Sequence, residues 1–168
     1  MNNNLLIVGA GAYGYVVKEV AEATGMFDLI SFADDNCQRD DVAGTTHMLE
    51  SLSDRYRYAI VAIGNPQVRM DIFGRLEKAG YEMPVLVHPD AYVSESAHID
   101  NGCVIEPKSV VHSNACVGKG CLICAGSVVN HNAVIEGFCQ IDCNAVAGAG
   151  AFVPKGTKVE CGSVVFKK

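Results

Sequence analysis

The sequence predicts an α/β domain followed by a parallel β-helix, and three observations predict it. Strand-like and helix-like segments alternate through the first half of the chain, up to Pro89. A glycine-rich turn, "GAGAYG", joins the first strand to the first helix. From Ala91 onward, one aliphatic and one small residue recur with a fixed period of six.

The first half reads in order. "NLLIVGA" is a buried strand, a short aliphatic run that stops at glycine. "YGYVVKEVAEATG" has helical spacing and ends at Gly25. "DLISFADD" is a second strand with acids at its carboxyl end, and "THMLESLSDR" a short helix. "YAIVAIGN" is a third strand. "PQVRMDIFGRLEKAG" is a helix with Pro66 near its start and Gly80 past its end. "MPVLVHP" is a last short strand. Strands that alternate with helices imply a parallel sheet. Residues 1–88 are therefore expected to form a small Rossmann-like domain.

Residues 89–168 follow another rule. Every sixth residue from Val93 to Val165 is aliphatic, thirteen of thirteen. The residue two before each, from Ala91 to Ser163, is small in all thirteen cases. A coil that turns every six residues accepts only small side chains beside its corners, so this is a hexapeptide β-helix. Three hexads make one triangular coil, and residues eighteen apart lie above one another at about the strand spacing, ~4.8 Å. Such prisms coil left-handed, against the usual crossover rule. Cys103, Cys121 and Cys139 fall in the small inward column, so "CLIC" reads as packing and not as a metal site.

Bulk properties exclude several classes. The chain has 168 residues, a net charge of −6 and a pI near 5.3. Without a basic cluster, that argues against a nucleic-acid partner. No apolar run approaches the ~18 residues of a membrane span. The start, "MNNNLLIVGAG", lacks the basic segment of an export signal. Eight cysteines in such a chain are expected to be reduced thiols of a cytoplasmic protein.

Two stretches carry chemistry. Gly9, Gly11 and Gly14 form a GxGxxG between strand and helix, and Asp34 and Asp35 close the next strand. Backbone amides at the helix start can hold a phosphate, and the acids can accept hydrogen bonds from a ribose or a base. NAD is the first reading of such a loop, but a unit of this size suits a mononucleotide better. The second stretch is "SVVNHNAVIEG", which sets His131 at a corner of the repeat. By the eighteen-residue period, His112 and His131 share one corner a coil apart, and Asn114 lies below Asn132. A polar corner residue is often only solvated surface.

The order of "GAGAYGYVVKEVAE", "FADD", "AIGN" with Arg69 soon after, and "HPDAYVS" leading into the hexads resembles the bacterial sugar acyltransferases of the sialic-acid-cluster type. These include the nucleotide-amino-sugar N-acetyltransferases. The resemblance implies a nucleotide-sugar pocket at Gly9, Gly11, Tyr13, Asp34, Asp35, Gly64 and Asn65. It implies a homotrimer of β-helices with acetyl-CoA along the groove between prisms, held at Cys124, Gly148 and Ala149, and no metal. The catalytic base falls on His131. Asn132 stands where the family has an acidic neighbour, Cys124 where it often has asparagine, and Gln140 where it often has a second histidine. Many members also continue beyond "CGSVVFKK".

The chemistry expected is N-acetylation of a nucleotide-linked amino sugar. A sugar ammonium must lose a proton before its nitrogen attacks the thioester, and a neutral imidazole at pH 7 suits that task. O-acetylation of a sugar is the near alternative, and a non-catalytic nucleotide-sugar-binding homologue is the next. A metal hydratase on the same prism needs three converging histidines, which His112 and His131 do not supply.

Overall fold

The computed structural model describes residues 3–167. The chain divides into two compact units, Met1–Pro84 and Val85–Lys168.

The first unit is a parallel four-stranded sheet with helices. Strands β1 (Asn4–Val8), β2 (Leu29–Ala33), β3 (Val42–Gly44) and β4 (Tyr58–Val61) lie in the order β3-β2-β1-β4. Leu5, Leu6, Ile7 and Val8 are all fully buried, as expected for a central strand covered on both faces. The chain winds outward from β1 to β3 and then returns to the other side of β1. The carboxyl ends of β1 and β4 therefore form a topological switch point, where open α/β sheets bind ligands.

Helix α1 (Ala12–Thr24) buries Val17, Val20 and Ala21 and stops at Gly25, whose φ of 65° is left-handed. Helix α3 (Pro66–Lys78) buries Ile72, Phe73 and Leu76. Its first turn is capped by Asn65, whose side-chain oxygen accepts the N–H groups of Gln67 and Val68. The helix expected over "THMLESLSDR" is shorter, a 3₁₀ turn (Thr46–Met48) running into α2 (Leu49–Leu52). Strand β3 was not legible in the sequence: its three residues are too few to show a period of two.

The second unit is a left-handed parallel β-helix. It corrects one expectation. "MPVLVHP" does not add a strand to the first sheet: Leu86 and Val87 pair with Val104 and Ile105 as the first rung of the prism. The last two-residue strand is Val164–Val165. The strands stack into three parallel sheets, one per prism face. Pairs such as Leu122↔Val104, Val128↔Val110 and Cys116↔His98 are all eighteen apart.

The inward columns form the core. Ile105, Val111, Ile123, Val129, Ile141 and Ala147 are fully buried. Each buried valine or isoleucine among them contributes roughly 1.5–3 kcal/mol of burial. Beside them sit the small residues, among them Cys103, Cys121 and Cys139, all fully buried.

Each corner needs a left-handed residue. From Gly102 to Gly162, every sixth residue has positive φ. Glycine fills most of these positions, Asn114, Asn132 and Asn144 fill three, and Lys108 and Phe138 fill two. Asparagine is the non-glycine residue best suited to that conformation.

Candidate active site

The glycine loop crosses from β1 into α1. Two of its glycines are needed by the fold itself. A Cβ on Gly14 would lie 2.2 Å from the Gly9 carbonyl oxygen. One on Gly9, where φ is +110°, would lie 2.8 Å from the Ala62 oxygen. Gly11 is different, since nothing lies within 4 Å of a Cβ placed there. It is the exposed N-cap of α1, and no side chain caps the helix. The helix start is exposed at Gly11, whose carbonyl oxygen accepts the Gly14 N–H at 2.9 Å, and an exposed helix start is where an anion can bind. Tyr13 is half-buried in that same turn.

The two acids divide their tasks. Asp34 faces the glycine loop and accepts the Ala10 N–H at 2.8 Å and the Asn36 N–H at 2.8 Å. Asp35 was expected to face that loop, but it turns to Thr46 instead. Its oxygens accept the Thr46 N–H at 2.7 Å and the Thr46 hydroxyl at 2.9 Å. The Thr46 backbone N–H holds the Asp35 carboxyl below the usual range. A cleft of about 390 Å³ lies here, lined by Gly9, Asp34, Asp35, Thr46, Ile63 and Arg75. It opens at the carboxyl ends of the strands, where the switch-point rule puts a ligand.

Several braces were missed by sequence reasoning. Arg39 donates to the Ala10 carbonyl oxygen at 3.3 Å and to Asp41 at 3.0 Å. Its guanidinium stacks over Tyr15 at 4.7 Å and Phe32 at 5.4 Å. Arg69, already noted soon after "AIGN" but without a role, is 1% exposed and donates to the carbonyls of Ile63 and Gly64 at 2.7 and 2.9 Å. A buried guanidinium is costly unless so paired, and here it fixes the loop that presents Gly64 and Asn65. Gly64 is exposed, with nothing within 4 Å of a Cβ placed on it, while Asn65 spends its side-chain oxygen on the cap of α3.

In the second unit the structure brings His131, Asn132, Gly148 and Ala149 to one corner. Asn130 lies between the coils of His112 and Gly148, as the backbone bonds Asn130 N–H to Ala147 O and His112 N–H to Val129 O require. The Gly150 N–H donates to the His131 carbonyl oxygen at 3.0 Å, which sets Ala149 directly above His131. The His131 imidazole is exposed, and its Nδ1 lies 2.9 Å from the Asn132 side-chain amide. Asn130 caps the His131 N–H at 2.7 Å. His112, one coil below, packs edge-on to Tyr92 at 6.2 Å.

The amide above is open. At other corners the equivalent N–H is capped by a side-chain oxygen: Ala125 by Glu106, Lys155 by Glu136, Cys143 by Asp142. The Ala149 N–H has no such partner among the described residues, because Gly148 has no side chain and Asn130 turns to His131. The result is an exposed imidazole with a free backbone donor one rung, ~4.8 Å, above it.

Cys124 does not join them. It lies at the preceding corner and is 2% exposed. Burial pushes its thiol up, so it has neither the surface nor the charge to meet a bound molecule. The inward Cys121 thiol is also pushed up, through its contact with Cys103 and then through burial.

Comparison with known proteins agrees with this fold. Residues 4–76 match the PglD N-terminal domain family. The chain is 30% identical over 109 residues to the UDP-N-acetylbacillosamine N-acetyltransferase of Bacillus subtilis (strain 168), a match covering 61% of this chain and 50% of the relative. The match thus spans half the length of that relative. The acetyltransferase domain of PglB from Neisseria gonorrhoeae FA1090 superposes with a TM-score of 0.87 at 30% identity, covering 99% of this chain and 92% of that one. The same domain in complex with acetyl coenzyme A gives 0.73 at 30% identity, over 95% and 96% of the two chains. Two units in the same order, a switch-point cleft and a histidine corner on a hexapeptide prism stand on a fold shared along nearly the whole length, and the chain belongs to the bacterial sugar acyltransferase family.

Proposed function

We propose that the protein is an acetyl-CoA-dependent N-acetyltransferase acting on a nucleotide-linked amino sugar, with His131 as general base. The observation that carries this reading is the corner itself: an exposed imidazole with an unused backbone donor one rung above. Neither feature serves the packing of the prism. The first unit supports the substrate side, because Gly11 and the Asp34 cleft leave an open helix N-terminus beside hydrogen-bond acceptors. That combination suits a phosphate joined to a ribose and base. Tyr13, Gly64 and Asn65 border the same strand ends, and Asp35 contributes by fixing Thr46.

Acetyl-CoA supplies the acetyl group as a thioester. The surface above His131 suits it, since Gly148 and Ala149 raise no side chain beyond a methyl. His131 accepts the proton that the sugar nitrogen sheds as that nitrogen bonds to the thioester carbon. The Ala149 N–H donates to the oxygen that gains charge, an oxyanion hole of one backbone donor. His131 then returns its proton to the departing thiolate.

Asn132 orients the ring. The structure sets its amide nitrogen 2.9 Å from Nδ1; turning the amide over sets its oxygen against Nδ1–H, and that arrangement leaves the Nε2 lone pair for the base role. Its own presence has a structural reason, a φ of 57° at a corner that favours asparagine over an acid.

A homotrimer completes the reading. Tyr92 and Val164 are 56% and 47% exposed on one face beside the His131 corner. Val134 and Phe152 are 41% and 56% exposed on the next. Apolar strips on both flanks of a catalytic corner suit contact with further copies of the prism.

His131→Ala tests the assignment. Turnover should fall about 10²–10⁴-fold while circular dichroism stays unchanged, because a corner side chain holds no column together. Undiminished turnover in a folded variant would remove His131 from the reaction.

A further inference from the structure

Cys143 and Cys161 occupy the same corner in successive coils. Gln140 pairs with Lys158 three residues before them, and Val146 with Val164 three residues after. The Gly162 N–H donates to the Cys143 carbonyl oxygen at 3.0 Å. The register therefore keeps the two α-carbons about one rung apart, ~4.8 Å, within the ~4.4–6.8 Å that a disulfide spans. Both thiols are free, with Cys161 exposed and Cys143 half-buried. The other stacked thiols, Cys103, Cys121 and Cys139, are fully buried in the inward column and out of reach of a reagent.

We propose that Cys143 and Cys161 form a modification site that reacts with low-molecular-weight disulfides, such as oxidised glutathione, to give a reversible disulfide between successive coils. The exposed Cys161 thiolate attacks one sulfur of the reagent, forms a mixed disulfide and releases one glutathione thiolate. Burial pushes the Cys143 thiol up, so it acts second. It loses its proton, attacks the Cys161 sulfur and expels the second glutathione. Two protein thiols lose two electrons, one glutathione disulfide gains them, and the two protons go to the released thiolates. Parallel stacking keeps the β-carbons near the rung spacing, wider than the ~3.5–4.5 Å a relaxed disulfide prefers. Strained, exposed disulfides are the easily reduced ones, which makes the link reversible.

The bond clips the terminal coil to the one that carries Gly148 and Ala149. Val165 of the terminal coil accepts the Gly148 N–H at 2.8 Å, and the Lys167 side chain lies over Gly150. A cross-link at the Cys143–Cys161 corner holds these two coils together. This consequence for the acetyl-CoA surface rests on the proposed function; the cross-link does not.

The test treats the full chain with oxidised glutathione, alkylates the remaining thiols and digests with trypsin. The expected product joins peptide 120–155 to peptide 159–167, disappears on reduction and is absent from Cys143→Ser and Cys161→Ser. Amide exchange across residues 159–167 should slow roughly tenfold in the oxidised form. Alkylation of both cysteines after oxidation would overturn the proposal, as would glutathione persisting on Cys161 or a Cys161 link between two chains. Inactivity toward amino sugars would leave the cross-link result intact, so the two claims fail separately.

Discussion

At the scale of single residues, the proposed sites sit where the fold does not need the residue. Gly11 and Gly14 separate the two demands. Gly14→Ala drives a methyl to 2.2 Å from backbone and should unfold the first unit or cost several kcal/mol, read as a drop in melting temperature. Gly11→Ala meets nothing within 4 Å and should leave melting unchanged while weakening nucleotide-sugar binding at least tenfold by titration calorimetry. Equal affinity in that variant would put the phosphates elsewhere. The open amide above His131 permits a similar separation. Pro107 already occupies the same hexad position at another corner, so the prism accepts proline there. Ala149→Pro removes a donor that holds no other bond. It should lower turnover by about 10²–10³ with melting little changed. Normal turnover would deny the amide its role.

At the scale of elements, legibility followed periodicity. The inward columns were readable because a period of six runs without insertion from Ala91 to Val165. Helices α1 and α3 were readable from their apolar spacing and their end residues, Gly25 and Pro66. Strand β3 and the destination of Leu86 and Val87 were not, because two or three residues carry no period and their partners are set by pairing alone. The corner shared by His112 and His131 followed from counting eighteen, while Gly148 and Ala149 came from the resemblance alone. The free Ala149 N–H did not, since it depends on which way Asn130 turns. Nor did the turn of Asp35 toward Thr46. The short elements have their own energetics. Tyr81 donates its hydroxyl to the Leu49 carbonyl at 2.7 Å, and burial, then Tyr56, push its phenol up to about 12. A raised phenol stabilises the fold below its unfolded value near pH 10, and that contribution is lost as pH rises toward about 12. Tyr81→Phe should cost about 1 kcal/mol near neutrality and flatten the alkaline loss, as urea midpoints at about pH 8 and pH 11 would reveal.

At the scale of the whole molecule, the proposed function gives nucleotide recognition to the first unit and acyl transfer to the second. The exposed strips of Tyr92 and Val164, and of Val134 and Phe152, predict association. Sedimentation equilibrium at micromolar concentration should return three times the 17.8 kDa chain mass. A monomer would leave those faces to another partner. The central claim, that the His131 corner transfers an acetyl group to a nucleotide-linked amine, is tested most directly by thiol release. The parent and His131→Ala proteins are each mixed with acetyl-CoA and a panel of nucleotide-linked sugars, some with a free amine and some with hydroxyls only. The account predicts thiol release from the parent with at least one amino sugar, with an acetylated amine as product, and release close to background from His131→Ala. Nucleotide binding without thiol release from any amino sugar in the parent would contradict it.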